Sequence, residues 1–283
     1  MKVLASVTLL VWVLALLLFQ RSQKPIRPPG RVQARGLIIH LPDRRDRAGN
    51  VAALQAAAGA AEIEIGVLSA VDARDCADLP VPTFLDFSRG VEQRSHLRGG
   101  EQGCLASHFQ LFLQLGARQG PVLMLEDDAI VGPDQFRAML QRLQQEAGSR
   151  SVHHGRRSMP GGWPQVESLH DSERAAAERG WFPLRAPNYS TAFFGMTGAA
   201  LQGLLRWLAL ISRHRRHLMP ADDLLSAACG VHPSTQAWEE GHELRGWASL
   251  APLNGRLASL SDTEHRRPAV PGKTCVELNV QFA

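Results

Sequence analysis

The chain has 283 residues, enough for one large α/β domain or two small ones, and 45% of them are hydrophobic, so a sizeable core is within reach. The isoelectric point of 9.2 points at first to nucleic acid, but the positive charge is local. Lys2, Arg21, Lys24, Arg27, Arg31 and Arg35 crowd residues 1–35 with no acid among them. The remainder holds 25 basic and 27 acidic residues, which excludes a nucleic-acid surface built on bulk charge.

Val3 to Phe19 is an uncharged run of 17 residues, the short end of what spans a bilayer. Leu18-Phe19-Gln20-Arg21 lacks the small-residue pattern of a cleavage site, so residues 1–20 read as an uncleaved membrane anchor. Five basic residues lie after the run and only Lys2 precedes it, which by the positive-inside rule alone keeps the downstream domain cytoplasmic. Residues 21–35, with Pro25, Pro28, Pro29 and Gly30 among charges, read as a linker, and residues 36–283 as one folded domain. Cys76, Cys104, Cys229 and Cys275 show no Cys-x-x-Cys spacing, which argues against zinc and leaves disulfides and free thiols both open.

The domain opens with an apolar strand, Gly36 to Leu41, ended by Pro42. Asp43-Arg44-Arg45-Asp46-Arg47 starts a helix running to about Ala58, with acids in the first turn where the dipole favours them. Ile63 to Leu68 is a second strand, completing a βαβ unit whose strands should be parallel. Residues 72–100 read as loop. A helix from about Gln102 to Gly116 aligns Leu105, Phe109, Phe112 and Leu115.

After Gly120 comes Pro121 to Val131, a short apolar run broken by Glu126-Asp127-Asp128. It reads as a buried strand with three carboxylates at its tip. Charges at the end of a core strand need partners. The carboxyl ends of strands are where open α/β sheets bind ligands, so a hard divalent cation is one reading and a helix cap or surface acid cluster the other. Pro133-Asp134 begins another helix, with Phe136, Leu140 and Leu143 inward. Residues 147–186 are irregular and fit a functional flap or an insert. Tyr189 to Thr197 reads as a central strand, Gly198 to Trp207 as a helix, and Pro220-Ala221-Asp222-Asp223 as the start of a short helix. Beyond Cys229 only short strands and loops are expected.

Four blocks, in order, resemble glycosyltransferase family 25. They are Ile39-His40-Leu41-Pro42-Asp43-Arg44-Arg45-Asp46-Arg47, Leu68-Ser69-Ala70-Val71-Asp72-Ala73, Gly100-Glu101-Gln102-Gly103-Cys104-Leu105-Ala106-Ser107-His108, and Val122 to Ala129. Gly195 to Leu201 and Pro220 to Leu225 resemble later blocks. His40 departs from the family's usual Asn, and Ala73 from its Gly. The resemblance implies a GT-A-like, Rossmann-like α/β fold with a mixed, mostly parallel sheet and flanking helices, and the apolar run Val3–Phe19 places one N-terminal transmembrane helix before it. The resemblance also implies a UDP-sugar donor, galactose above all, and an inverting, Mn²⁺- or Mg²⁺-dependent transfer to a glycan, glycolipid or protein hydroxyl.

On this reading Asp128 is the metal ligand. Glu126 shares its strand face and reaches the metal or the ribose. Asp127 points the other way, towards a helix. Asp222 and Asp223 are the candidates for the catalytic base, with helix capping as the plain alternative. Arg44, Arg45 and Arg47 stand where one could clamp a phosphate, or all could be a solvated helix start. Glu101 and Ser107 line the donor site or cap their helix. His108 reads as a core histidine, and His232 and His242 as third-ligand or surface residues. The second functional reading is a catalytically silent, membrane-tethered carbohydrate-binding or adhesion module. Retention of Glu126, Asp128, Asp222 and Asp223 favours the enzyme. An anchored transferase of this kind implies a Golgi or endoplasmic reticulum lumenal domain, with a bacterial inner membrane as the other setting.

Overall fold

A computed structural model describes residues 34–72, 99–116, 120–155, 170–185, 191–213, 220–232, 244–249, 255–256 and 280–282. The expected anchor at Val3–Phe19, nearly all of the linker, Cys76, Cys275 and His242 lie outside them. Among the described residues no helix is long and apolar enough to cross a membrane.

The chain builds β1 (Arg35–His40), α1 (Ala48–Ala60), β2 (Glu64–Ser69), α2 (Gly99–Gly116), β3 (Val122–Glu126), β4 (Ala129–Ile130) and α3 (Pro133–Gln145). It continues with β5 (Ser151–His154), α4 (Asp171–Ala177), β6 (Trp181–Pro183), β7 (Phe193–Met196), α5 (Gly198–Arg213) and α6 (Ala221–Ala228). Three short strands close it, β8 (Arg245–Ser249), β9 (Gly255–Arg256) and β10 (Val280–Phe282). Eight strands form one sheet in the order β10-β2-β1-β3-β7-β5-β8-β6, and β4 pairs with β9.

The βαβ expectation holds, with β1 parallel to both β2 and β3. β5 and β8 are also parallel, while β7 runs antiparallel to β3 and β5, and the edge strands β10 and β6 are antiparallel to their neighbours. The sheet is therefore mixed, with its parallel core at β2-β1-β3. The chain winds from β1 through α1 to one side and through α2 to the other. The carboxyl ends of β1 and β3 thus flank a switch point, where such sheets open a crevice.

Alternation along the strands divides the core between two faces. Leu37, Met124, Phe194 and Met196 pack with Leu105, Phe109 and Phe112 of α2, Leu201 and Trp207 of α5, and Leu224 and Leu225 of α6. Ile38, Leu123, Leu125 and Phe193 pack with Val51 and Leu54 of α1 and Phe136, Met139 and Leu143 of α3. With helices on both sides, β3 is apolar throughout up to its last residue. Gly195 of β7 lets α3 approach closely, since a Cβ there would meet Leu143 Cδ1 at 2.7 Å.

Two expectations need correction. The helix expected from Asp43 starts at Ala48. Before it the chain makes a 3-10 turn at Arg45–Arg47, closed by Arg47 N–H donating to Arg44 O at 2.9 Å. The stretch 147–186, read as irregular, supplies β5, α4 and β6. These elements are too short to show a period, yet β5 is wholly buried.

A polar knot braces β5 against α3. His153 is fully buried, and its Nε2 lies 3.1 Å from Glu146 Oε2, while Arg142 pairs with the other oxygen of Glu146. Burial opposes ionisation of Glu146, but hydrogen bonds from His153 and Ser151 and the charges nearby hold its carboxyl at about 2, below the ordinary 4.5. Burial depresses His153 below 6.5 against the pull of Glu146. Both shifts store stability that is present above the unfolded-state values and lost on acidification. The knot's contribution to the unfolding free energy should therefore start to fall below pH 6.5 and fall more steeply between 4.5 and about 2, where the raised Asp222 ceases to offset it. Urea melts across that range check this. Glu146→Gln should flatten the steeper part, and a parallel loss in variant and parent would show that the knot does not set the acid limb.

Candidate active site

β3 ends at Glu126, and Asp127 and Asp128 form the turn into β4. The strand alternation expected to align Glu126 with Asp128 therefore stops at Glu126, and the turn sets the position of Asp128. β4 is held from outside by antiparallel pairing of Ala129 with Arg256 and Ile130 with Gly255. The turn is buried, with Asp127 4% and Asp128 6% exposed, so each carboxylate requires compensation.

Asp127 receives it from the first block. Arg47 Nη1 donates to Asp127 Oδ1 at 2.6 Å, and His40 Nδ1 lies 2.8 Å from Oδ2. Burial raises the Asp127 carboxyl, yet these two bonds and the Arg47 charge bring it below its ordinary value. Asn50, one helical turn past Arg47, donates from Nδ2 to the backbone carbonyls of Asp127 at 2.8 Å and Ala129 at 2.7 Å. Asp127 does turn to a helical segment, as its position predicted. His40 thereby gains a physical role at the place where the resembled family carries Asn.

The three arginines of the first block thus separate. Arg47 is buried against Asp127. Arg44 makes a forked pair with Asp46 at 2.9 and 2.8 Å. Arg45 is exposed and makes no ion pair among the described residues. Ser107 is also taken up by the fold, since its hydroxyl donates to Gly103 O at 2.7 Å and accepts from Val71 N–H at 2.8 Å. That contact ties the second block to the third. His108 is a core residue, stacked on Phe194 at 6.1 Å, with Nδ1 2.8 Å from Cys104 O. Cys104 Sγ lies 3.6 Å from the same nitrogen, and Cys229 is a free thiol among the described residues.

Glu126 is half-buried. Thr191 donates its hydroxyl to Glu126 Oε1, and Glu126 N–H donates to Ala192 O at 3.0 Å. From the other face of the sheet α6 brings Asp222 and Asp223. Its N-cap is Pro220 and no side chain caps it, so these acids do not serve as caps. Asp223 N–H donates to Asp222 Oδ1 at 3.0 Å. Burial, then the charge of Asp223, then that of Glu126 push the Asp222 carboxyl up to about 6. Burial and the charge of Glu101, in the first turn of α2, raise Asp223 as well. His232 Nε2 stands 3.4 Å from Asp223 Oδ1, and burial lowers His232 against the pull of Asp222.

The fold therefore gathers Glu101, Glu126, Asp222 and Asp223 from three elements into one acidic field at the sheet's carboxyl end. Thr191 and His232 join it. Thr191 carries no signal of its own in the sequence, whereas His232 reads there as a third metal ligand or a surface residue and stands beside Asp223.

Among the described residues no three His, Cys, Asp or Glu side chains are arranged to hold a metal ion. A Mg²⁺ or Mn²⁺ that works with a nucleotide needs less, one or two carboxylates plus phosphate oxygens and water. The elevation of Asp222 by burial and by the charges of Asp223 and Glu126 marks a cluster short of positive charge, and that deficit fits such a cation.

Comparison with curated proteins gave no match. Comparison with family models matched residues 35–155 to glycosyltransferase family 25 (LPS biosynthesis protein). The matched stretch runs from β1 to the end of β5 and holds Arg47, Asn50, Ser107 and the whole acidic turn, whereas Asp222 and Asp223 lie beyond it. Residues 35–155 thus match the glycosyltransferase family 25 model, and that match supports a transferase enzyme.

Proposed function

We propose that this transferase moves a hexose, galactose first among the choices, from a UDP-sugar to a hydroxyl of a glycan, glycolipid or protein, with inversion at the anomeric carbon. The observation that carries the reading is the convergence of Glu126 at the tip of β3 with Asp222 and Asp223 of α6, at the carboxyl end of the sheet where folds of this kind bind ligands. Glu126 and Asp128 are the residues that would hold the divalent cation, and Mn²⁺ or Mg²⁺ bound there would neutralise the departing pyrophosphate as a Lewis acid. Exposed Arg45 is the arginine left to meet a phosphate oxygen, and Glu101 borders the same space.

Asp222 is the group suited to take the acceptor's proton. Its carboxyl sits near 6, so it is ionised at neutral pH and still basic enough to accept a proton. As the acceptor oxygen bonds the anomeric carbon, the bond from that carbon to the phosphate oxygen breaks. The hydroxyl proton passes to Asp222, and UDP leaves. Asp223 keeps Asp222 basic by its charge, and His232 orients Asp223. The 1–20 segment would tether the domain to a membrane, on the lumenal side of the Golgi or endoplasmic reticulum.

The test is release of UDP by the full chain from a panel of UDP-sugars, with and without Mn²⁺. Turnover should be highest with UDP-galactose and should vanish on chelation. Glu126→Gln and Asp128→Asn should each cut it by about a hundredfold, the scale of losing one charge-stabilising contact. Undiminished turnover in both variants, or in excess chelator, would remove the cation from these positions.

A further inference from the structure

At the opposite end of the strands lies a second polar site. β3, β5 and β8 run in the same sense, so Glu126 ends one strand while Arg245 begins another at the far edge of the sheet. There Arg142, Gln145 and Glu146 from the end of α3, Arg179 from the turn after α4, and Arg245 and Trp247 of β8 line an open cleft of about 430 Å³.

The cleft has an excess of positive charge. Glu146 is the only carboxylate among the lining residues, and Arg142 is paired with it. Arg179 and Arg245 are exposed and make no ion pair among the described residues. Burial and the neighbouring Arg179 charge pull the Arg142 guanidinium below its ordinary value, against Glu146. The wall also holds two donors without an acceptor, Arg142 Nε and the indole Nε1 of Trp247, in side chains that are 5% and 3% exposed. Buried donors left unmatched cost free energy, and an anion relieves that cost.

The wall is rigid. Arg142 lies over the Trp247 ring at 4.8 Å, and His153 stacks parallel to that ring at 6.2 Å. With these neighbours on the indole, the free chemistry of the cleft is N–H donation and positive charge. We propose that this cleft is an oxyanion site, taking a phosphate or carboxylate group between the guanidinium forks of Arg179 and Arg245, with Arg142 and Trp247 behind them. Its place at the amino ends of the strands separates it from the donor crevice, so it would hold a second molecule or a distant group of the acceptor.

The experiment is a titration of the full chain, labelled with ¹⁵N in its six tryptophans, with inorganic phosphate in one arm and glucuronate in the other. Trp247→Phe identifies the relevant indole resonance. That resonance should shift saturably, with half-saturation near or below about 1 mM. Arg179→Ala and Arg245→Ala, both exposed positions, should each raise the half-saturation about tenfold, and added NaCl should weaken it further. Tighter binding of phosphate would assign a phosphate ester as the natural group, and tighter binding of glucuronate an acidic sugar. Either result supports the site. No shift in either arm up to about 100 mM, or an equal shift in the Arg179→Ala/Arg245→Ala double variant, would overturn it.

Discussion

Asp222→Asn is expected to lower kcat by about two to four powers of ten, the range for loss of a general base. The amide matches the carboxylate in shape but cannot accept the acceptor's proton at neutral pH. The same change should leave the fold intact and make it more stable. Because the folded-state value near 6 lies above the ordinary 3.8, ionised Asp222 destabilises the native state at pH 7. Removing the charge should therefore recover stability on the order of 1–2 kcal/mol, less than the full shift implies because the group is partly solvated. A variant that is both inactive and harder to melt is the mark of a site residue held at a cost in stability. Asp223→Asn should act more mildly, since it removes only the charge that keeps Asp222 basic. Steady-state UDP release and thermal melts on the same preparations give both readouts. If Asp222→Asn keeps half the parent's turnover, another group takes the proton.

The largest stability effect belongs to Asp127. Its two oxygens engage Arg47 at 2.6 Å and His40 at 2.8 Å, and both Asp127 and Arg47 are almost wholly excluded from water. Asp127→Ala leaves the Arg47 cation buried without its carboxylate, a loss of about 3–5 kcal/mol. In a domain of this size that corresponds to a melting point lower by about 6–20 °C. Arg47→Met in the Asp127→Ala background should return part of the loss, because it removes the stranded charge along with its partner. Circular dichroism during heating and in urea measures both. A melting point within a degree or two of the parent's would show that the ion pair is dispensable.

These residues also show how much of the molecule is legible in its chain. β1, α2, β3 and the acidic turn are legible because long apolar runs and helical periods report burial directly. Asp222 and Asp223 are legible as a pair, though not that burial and Glu126 raise one of them. Arg47 reads as a phosphate clamp or part of a solvated helix start, and the fold buries it against Asp127, because the identity of a side chain does not say which of several distant partners it meets. Ser107 reads as a donor-site residue or a cap of its helix, and its hydroxyl joins Val71 to Gly103. β5 and β6 escape a sequence reading, and β8 reads only as one of the short strands beyond Cys229, since strands of three to five residues carry no period and their order in the sheet depends on contacts with β7 and with one another. The basic cleft is invisible for the same reason, being assembled from α3, the turn after α4, and β8.

The bonds around the acidic turn carry a kinetic consequence. Asp127 is joined to residues 80 and 87 positions earlier, and Asn50 reaches across 77 and 79 positions to the carbonyls beside it. Loops of that length must close before the turn gains any partner, and closure of such loops slows two-state folding. The carboxyl end of β3 should therefore be among the last parts to order. In stopped-flow refolding, substitutions at Asp127 should change the unfolding rate far more than the folding rate.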